Sequence, residues 1–239
     1  MVQTLVERHL SRLFNVSIKL EAPQAVIRPA LILLLLASAL IMASAYLASA
    51  AQTIKLVVYG DSLTAGLGVG PADAFPAQLQ AALRAKGANV EVINASVSGD
   101  TVSAALERFD WAIPDDADAV IVELGANDAL RGVDPTQTRA TFTKLLDRLT
   151  ARKIPILLVG MKAPRNYGAD YAAHFDPLYT ELAAAYHTAL YPFFLDGVAL
   201  DPIYNQADGL HPTAKGVAVI VARMLPDVES LLAKAHPRQ

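Results

Sequence analysis

The sequence contains no cysteine, which excludes disulfides, thiolate-held zinc, iron–sulfur clusters and a cysteine nucleophile. It also lacks an excess of basic charge. Lys and Arg number 20 against 23 Asp and Glu, a net charge of −3. Nucleic-acid binders are cationic over their contact surface, so that class falls away. Glycine and proline are modest at 13 and 14 of 239 residues, which excludes collagen-like and low-complexity chains. Charged residues make up 18% and hydrophobic residues 54%, the opposite balance to a disordered chain. The length suits one ordinary domain with additions.

A further absence is local. No charged residue occurs between Arg28 and Lys55. Residues 30–51 read ALILLLLASALIMASAYLASAA, apolar all round and long enough to cross a bilayer. Arg8, Arg12, Lys19 and Arg28 precede it, against Glu7 and Glu21, which places the N-terminus on the cytoplasmic side. Ala48-Ser49-Ala50 is the small-x-small pattern of a signal-peptidase site. Two expectations compete: a signal cleaved after Ala50, giving a periplasmic or secreted protein, or an uncleaved inner-membrane anchor with the domain outside. Lys55 opens the first strand four residues beyond Ala51, so an anchor would leave almost no spacer; cleavage is the preferred expectation. Residues 51–239 are then the working domain. With four basic and two acidic residues removed, its net charge is −5, a poor match for phosphate backbones or anionic lipid.

From residue 54 onward, short β-branched runs alternate with helical patterns. Strands are expected at 54–59, 89–94, 119–124 and 154–159, with a short fifth at 192–195. Helices are expected at 75–86, 101–111, 135–152, 171–190 and 212–235, the last broken near Pro226. Alternation of this kind makes parallel βαβ units, and nearly continuous apolar strands are covered on both faces. The expected fold is a three-layer α/β/α doubly wound parallel sheet of about five strands. Ligands on such sheets bind at the carboxyl ends of the strands.

Four loops at those ends carry unusual residues: Gly60-Asp61-Ser62-Leu63, Ser96-Val97-Ser98-Gly99-Asp100, Gly125-Ala126-Asn127-Asp128 and Asp208-Gly209-Leu210-His211. A serine hydroxyl needs a base to become a nucleophile, and neutral imidazole serves near pH 7. A carboxylate on the other ring nitrogen sets the tautomer and stabilises the imidazolium. Backbone N–H groups and a side-chain amide can receive a tetrahedral oxyanion.

In their order, the four segments resemble the four blocks of the SGNH, or GDSL, hydrolases. The phrases GDSLTAGLGV, NASVSGDT, VELGANDALRG and DGLHPTAKG carry the resemblance, which spans nearly all of residues 54–225. It is nearest to the branch of secreted bacterial arylesterases and acyl-CoA thioesterase I/lysophospholipase L1-type enzymes. The resemblance implies a flavodoxin-like fold and a serine esterase acting on aryl esters, short- to medium-chain acyl esters, acyl-CoA or lysophospholipid. It implies Ser62 as nucleophile, His211 as base and then acid, and Asp208 as the residue that orients His211. It implies an oxyanion hole made of the Ser62 and Gly99 N–H groups and the Asn127 amide. It implies no cofactor and no metal, and a small-molecule ester or thioester as partner. Membrane contact is expected only through residues 30–51 if they are retained, and no oligomeric state is readable.

Other residues are expected in supporting roles. Asp61 organises the nucleophile turn, Glu123 is a buried hydrogen-bonding partner, and Asp128 caps the turn that follows it. Ser96 and Ser98 shape the loop of Gly99. His174 and His187 are satisfied or exposed histidines of the 171–190 helix. Arg131, Arg165 and Tyr167 are candidates to line the acyl or leaving-group site, and the loop 161–171 to set acyl-chain length. Three rival functions are weaker. A nucleotide site at Gly66-Leu67-Gly68-Val69-Gly70 lacks a following helix and an acidic end to strand two. A non-catalytic tethered binding domain would be expected to have lost a triad residue. A carbohydrate acetylesterase would share the same fold.

Overall fold

The computed structural model describes residues 53–236. The apolar segment at 30–51, and with it the choice between signal and anchor, lies outside them. Among the described residues no helix is long and apolar enough to cross a membrane.

Five strands form one parallel sheet: β1 (Ile54–Gly60), β2 (Val90–Asn94), β3 (Ala119–Glu123), β4 (Ile156–Val159) and β5 (Ala189–Tyr191). Their order is β2-β1-β3-β4-β5. The register pairs Val58 with both Asn94 and Ile121, and Gly60 with Glu123. The chain leaves β1 in one direction to make β2, then crosses back to make β3. The switch point therefore falls between the carboxyl ends of β1 and β3. The expected fold class is the one observed.

The helices are α1 (Ser62–Ala65), α2 (Phe75–Ala85), α3 (Val102–Glu107), α4 (Phe109–Ala112), α5 (Ala126–Leu130), α6 (Pro135–Ala151), α7 (Gly168–Phe175), α8 (Leu178–Tyr186) and α9 (Ala214–Leu232). One layer is formed by α2 against α9, the other by α6 against α3 and α8. Right-handed crossovers account for α2 lying on one face and α3, α6 and α8 on the other, because the strand order reverses at β1; α9, which follows the last strand, returns to the α2 face. Both faces of the central strands are sealed: every residue of β3 and β4 is buried. Phe142 of α6 and Tyr179 of α8 meet edge to face at 5.5 Å in one of these layers.

Several boundaries differ from the periodicity. The helix expected over 101–111 is interrupted at Arg108, whose side chain turns inward to bind loop carbonyls. The helix expected over 171–190 is two helices separated by Asp176-Pro177. Pro177 supplies no amide to continue α7, and the Asp176 carboxylate instead accepts from the Ala163 N–H at 2.8 Å. His187 adopts a left-handed conformation (φ 50°) and ends α8, so the fifth strand lies at 189–191 rather than 192–195. Pro192 has no N–H to extend the ladder with β4. Strand β4 begins at Ile156, after Pro155, rather than at Ile154. The last helix runs through Pro226 unbroken.

Phe142 is fully buried and fills the space between α6, α8 and the sheet. Phe142→Ala is expected to lower unfolding free energy by about 3–5 kcal/mol, measured by urea denaturation with an unchanged slope. A loss below about 1 kcal/mol would mean that the surrounding side chains collapse into the hole.

Candidate active site

The loop after β1 turns directly into α1. Asp61 caps that helix by accepting from the Leu63 N–H at 3.0 Å, and Gly66 closes it in a left-handed conformation (φ 91°). Gly60 is required at the turn, since a Cβ there would come within 2.1 Å of Thr64 Oγ1 and 2.7 Å of the Glu123 carbonyl oxygen. The result places Ser62 on the first turn of α1, above the end of β1.

His211 arrives from the far end of the chain. Its loop is fastened by an antiparallel bridge between Asn205 and Pro212 and by the Gln206 N–H donating to the His211 carbonyl at 2.8 Å. The Gln206 side-chain amide donates to the carbonyls of Leu67 (2.8 Å) and Pro212 (3.0 Å), tying the histidine loop to the segment after α1. Ser62 Oγ lies 2.9 Å from His211 Nε2, and His211 Nδ1 lies 2.6 Å from Asp208 Oδ2. A carboxylate only accepts, so Nδ1 carries the proton and Nε2 is free to receive one from Ser62. Asp208 Oδ1 also accepts from the N–H groups of Leu210 (2.9 Å) and His211 (3.0 Å). The hydrogen bond to His211, with these two amides, holds the Asp208 carboxyl down at about 2.

Gly99 and Asn127 line the same cavity as Ser62 and His211. Gly99 is left-handed (φ 89°), and its carbonyl receives Arg131 Nη2 at 2.8 Å. Asn127 sits on α5, which starts at once after β3 because Gly125 is left-handed (φ 101°); a Cβ at Gly125 would strike the Tyr179 hydroxyl at 2.2 Å. Asn127 Nδ2 donates to Asp61 Oδ2 at 3.1 Å and to the Asp100 carbonyl at 3.0 Å. Behind it, Arg108 binds Asp100 Oδ2 (2.5 Å), the Ala95 carbonyl (2.5 Å) and the Gly60 carbonyl (3.2 Å), with its guanidinium 4.3 Å over the Tyr59 ring.

The cavity encloses about 590 Å³. Leu67, Leu130, Met161, Phe193, Leu195 and Leu200 make it largely apolar, with Lys162 and Arg165 the cationic residues among its lining. Among the described residues no cluster of three or more His, Asp or Glu side chains is arranged to hold a metal ion.

The supporting residues are distributed as follows. Asp61 and Glu123 are both fully buried, and Glu123 Oε2 accepts from Thr64 Oγ1 at 3.1 Å. Ser96 Oγ lies 2.9 Å from Thr64 Oγ1, beneath the Ser62 turn rather than in its own loop. Asp128 does not cap its own turn: its carboxylate accepts from the Val102 N–H at 2.9 Å, joining α5 to the start of α3. His174 bonds the Asp170 carbonyl within α7. Arg165 lines the cavity, whereas Tyr167 packs against Gly132 and bonds the Leu130 carbonyl. Of the loop 161–171, residues 161–165 line the cavity. Arg108 and Gln206 escaped the sequence reading. Neither belongs to a motif, and apart from the Asp100 carboxylate their partners are backbone carbonyls brought close by folding.

A serine, a histidine and an aspartate joined in series at the switch point of a parallel sheet define a serine hydrolase-type site on a flavodoxin-like scaffold. Within that class the chain belongs to the GDSL-like lipase/acylhydrolase family, whose model matches residues 58–219. It is 38% identical over 185 residues to esterase TesA of Pseudomonas aeruginosa, covering 77% of this chain and 91% of that protein. It is 37% identical over 186 residues to thioesterase 1/protease 1/lysophospholipase L1 of Escherichia coli, covering 77% and 87%. The crystal structure of AlinE4, an SGNH-hydrolase family esterase, is 44% identical with a TM-score of 0.64, covering 76% of this chain and 97% of that one.

The depressed Asp208 carboxyl sets a pH window. Its pKa falls from 3.8 to about 2 on folding, so the bond to His211 is present above the unfolded value and is lost as pH falls through about 2. Carbon-detected NMR of the Asp208 carboxyl should show a midpoint near 2, moving toward 3.8 in His211→Ala. An Asp208 midpoint already at 3.8 in the unmodified protein would mean that the bond is not formed in solution.

Proposed function

We propose that this carboxylic ester hydrolase works through an acyl-Ser62 intermediate. The observation that carries the reading is the series Asp208–His211–Ser62, with contacts of 2.6 and 2.9 Å, opening onto an apolar cavity. In the first step His211 Nε2 takes the proton of Ser62 as Oγ bonds to the substrate carbonyl carbon. The carbonyl oxygen becomes an oxyanion, received by the N–H groups of Ser62 and Gly99 and by the Asn127 amide. At rest Asn127 Nδ2 donates to Asp61 and to the Asp100 carbonyl, so the bond to Asp61 keeps the amide in place while the donor to Asp100 turns to the oxyanion as charge develops there. Collapse of the intermediate expels the alcohol or thiol, which takes the proton from His211. Water, deprotonated by His211, then attacks the acyl carbon; collapse breaks the acyl–Oγ bond, His211 returns the proton to Ser62 Oγ, and the acid is released.

The apolar walls of Leu67, Leu130, Met161, Phe193 and Leu195 suit an acyl chain and offer few partners to a sugar. This favours aryl esters, short- to medium-chain acyl esters, acyl-CoA and lysophospholipid over acetylated carbohydrate. The names of two relatives, an esterase and a thioesterase 1/protease 1/lysophospholipase L1, are consistent with that range.

A fluorophosphonate probe should label the protein on Ser62, and Ser62→Ala should abolish labelling. Asn127→Ala should lower kcat by about 10²–10³ with KM nearly unchanged. Label on Ser96 or Ser98, or full kcat in Asn127→Ala, would overturn these assignments.

Residues 1–50 are proposed to export the domain, with cleavage after Ala50 leaving Ala51-Gln52-Thr53 as the mature N-terminus. The support is the charge-free run 30–51, its cationic lead and the Ala-Ser-Ala site. N-terminal sequencing of the periplasmic or culture fraction tests this. Activity confined to the cytosol excludes export, and an intact Met1 in a membrane pellet points to the anchor.

A further inference from the structure

Two carboxyl groups beneath the nucleophile turn have no part in the acyl-transfer scheme. Glu123 ends β3 and Asp61 follows β1, and neither side chain reaches solvent. Their surroundings differ. Asp61 Oδ1 accepts from the Leu63 N–H at 3.0 Å, and Asp61 Oδ2 accepts from Asn127 Nδ2 at 3.1 Å. Glu123 Oε2 accepts from the Thr64 hydroxyl at 3.1 Å and, at a long 3.5 Å, from the Asp61 N–H. Glu123 Oε1 is buried with no hydrogen-bond partner among the described residues. The charge facing Glu123 is that of Asp61, while Asp61 faces Glu123 on one side and His211 on the other. The buried Tyr179 hydroxyl donates to the Leu124 carbonyl and does not neutralise either group.

Two adjacent carboxyls in a dry site do not both ionise. The charge belongs on the member with the better donors. Asp61 has an amide N–H and a side-chain amide; Glu123 has a hydroxyl, one long N–H and an orphaned oxygen. An ionised Glu123 would leave a buried anionic oxygen unpaired, which costs more than leaving a neutral acid there.

We propose that Glu123 is held as a neutral carboxylic acid and acts as a positioning residue, keeping the pair's negative charge on Asp61, whose carboxylate holds the Asn127 amide beside Ser62. The role rests on the acyl-Ser62 reading, since it is through Asn127 that Glu123 affects the reaction. Burial, followed by the charge of Asp61, raises the Glu123 carboxyl well above its usual range. Burial raises Asp61 as well, but the Leu63 N–H, the Asn127 amide and His211 pull it back.

Glu123→Gln keeps the shape and an acceptor for the Thr64 hydroxyl and the Asp61 N–H, but has no charge to lose. Glu123→Ala removes all of them. Without that shape and that acceptor, Thr64 and the Asp61 N–H lose their partner and the turn that aims the Asp61 carboxylate at Asn127 loosens, so Glu123→Ala is expected to lower kcat by about 10²-fold with KM within about twofold of the parent. Glu123→Gln should restore kcat to within about fivefold of the parent. The infrared difference between the parent protein and Glu123→Gln at neutral pH should show the C=O stretch of a protonated carboxylic acid, shifted in D₂O. A difference spectrum showing only ionised carboxylate overturns the proposal. So does a kcat for Glu123→Gln as low as that of Glu123→Ala while circular dichroism and melting stay native. If Glu123→Ala fails to fold, the infrared band and the Gln variant still decide. Neither the band nor its D₂O shift depends on Ser62, so a failed fluorophosphonate label would defeat the acyl-Ser62 reading separately.

Discussion

One buried cation ties the site together. Arg108 reaches the carbonyls that end β1 and follow β2, Gly60 and Ala95, and pairs with Asp100 while lying over Tyr59. Both charged side chains are nearly enclosed, 7% and 12% exposed. A pair buried in this way adds little net stability, because desolvation offsets the attraction. Its effect is geometric. It adds to the other ties between the loop bearing Gly99 and the turn bearing Ser62, namely the Val97 N–H on the Gly60 carbonyl and the contact of the Ser96 and Thr64 hydroxyls. With Arg108 in place, the Asp100 carbonyl is also set where Asn127 binds it. Loops after three successive strands thus share one clamp.

The carboxyl groups around Ser62 fall into two electrostatic regimes. Asp208 is 44% exposed and bonded to His211, and water together with three donors keeps its charge inexpensive. Asp61 and Glu123 are sealed beneath the turn, where burial raises both carboxyls. The exposed carboxylate can therefore accompany proton movement on His211, as the proposed mechanism requires. The buried pair is suited to holding geometry, because moving its proton would alter the charge of a dry site.

Much of the fold was legible because parallel strands buried on both faces are written as uninterrupted apolar runs. The runs at 54–59 and 119–124 match β1 and β3 within a residue. Boundaries failed where a side chain far in sequence overrode local periodicity. Arg108 interrupts an otherwise helical run because its partners lie on β1 and in the loop after β2. Asp176 and Pro177 split a long alanine-rich pattern, since Pro177 has no amide and Asp176 serves the loop after β4. Asp128 followed the same course. Its position after a strand suggests a local cap, yet its partner is Val102, 26 residues earlier.

By itself, the sequence determined the strand and helix alternation, and hence the sheet whose carboxyl ends would carry any ligand. It also determined which residue types stand in the four loops at those ends. These properties are local: hydrophobic period, glycine in tight turns, and a serine, an amide, a carboxylate and a histidine at set offsets. Tertiary structure alone decided that Ser62 and His211, 149 positions apart, lie within a hydrogen bond of each other. It decided which apolar side chains line the cavity, and that Gln206 and Arg108 fasten the loops. It also decided that Asp61 and Glu123 share one dry pocket. Distance, burial and the identity of a hydrogen-bond partner arise only when strand order brings remote segments together, and no local pattern encodes them.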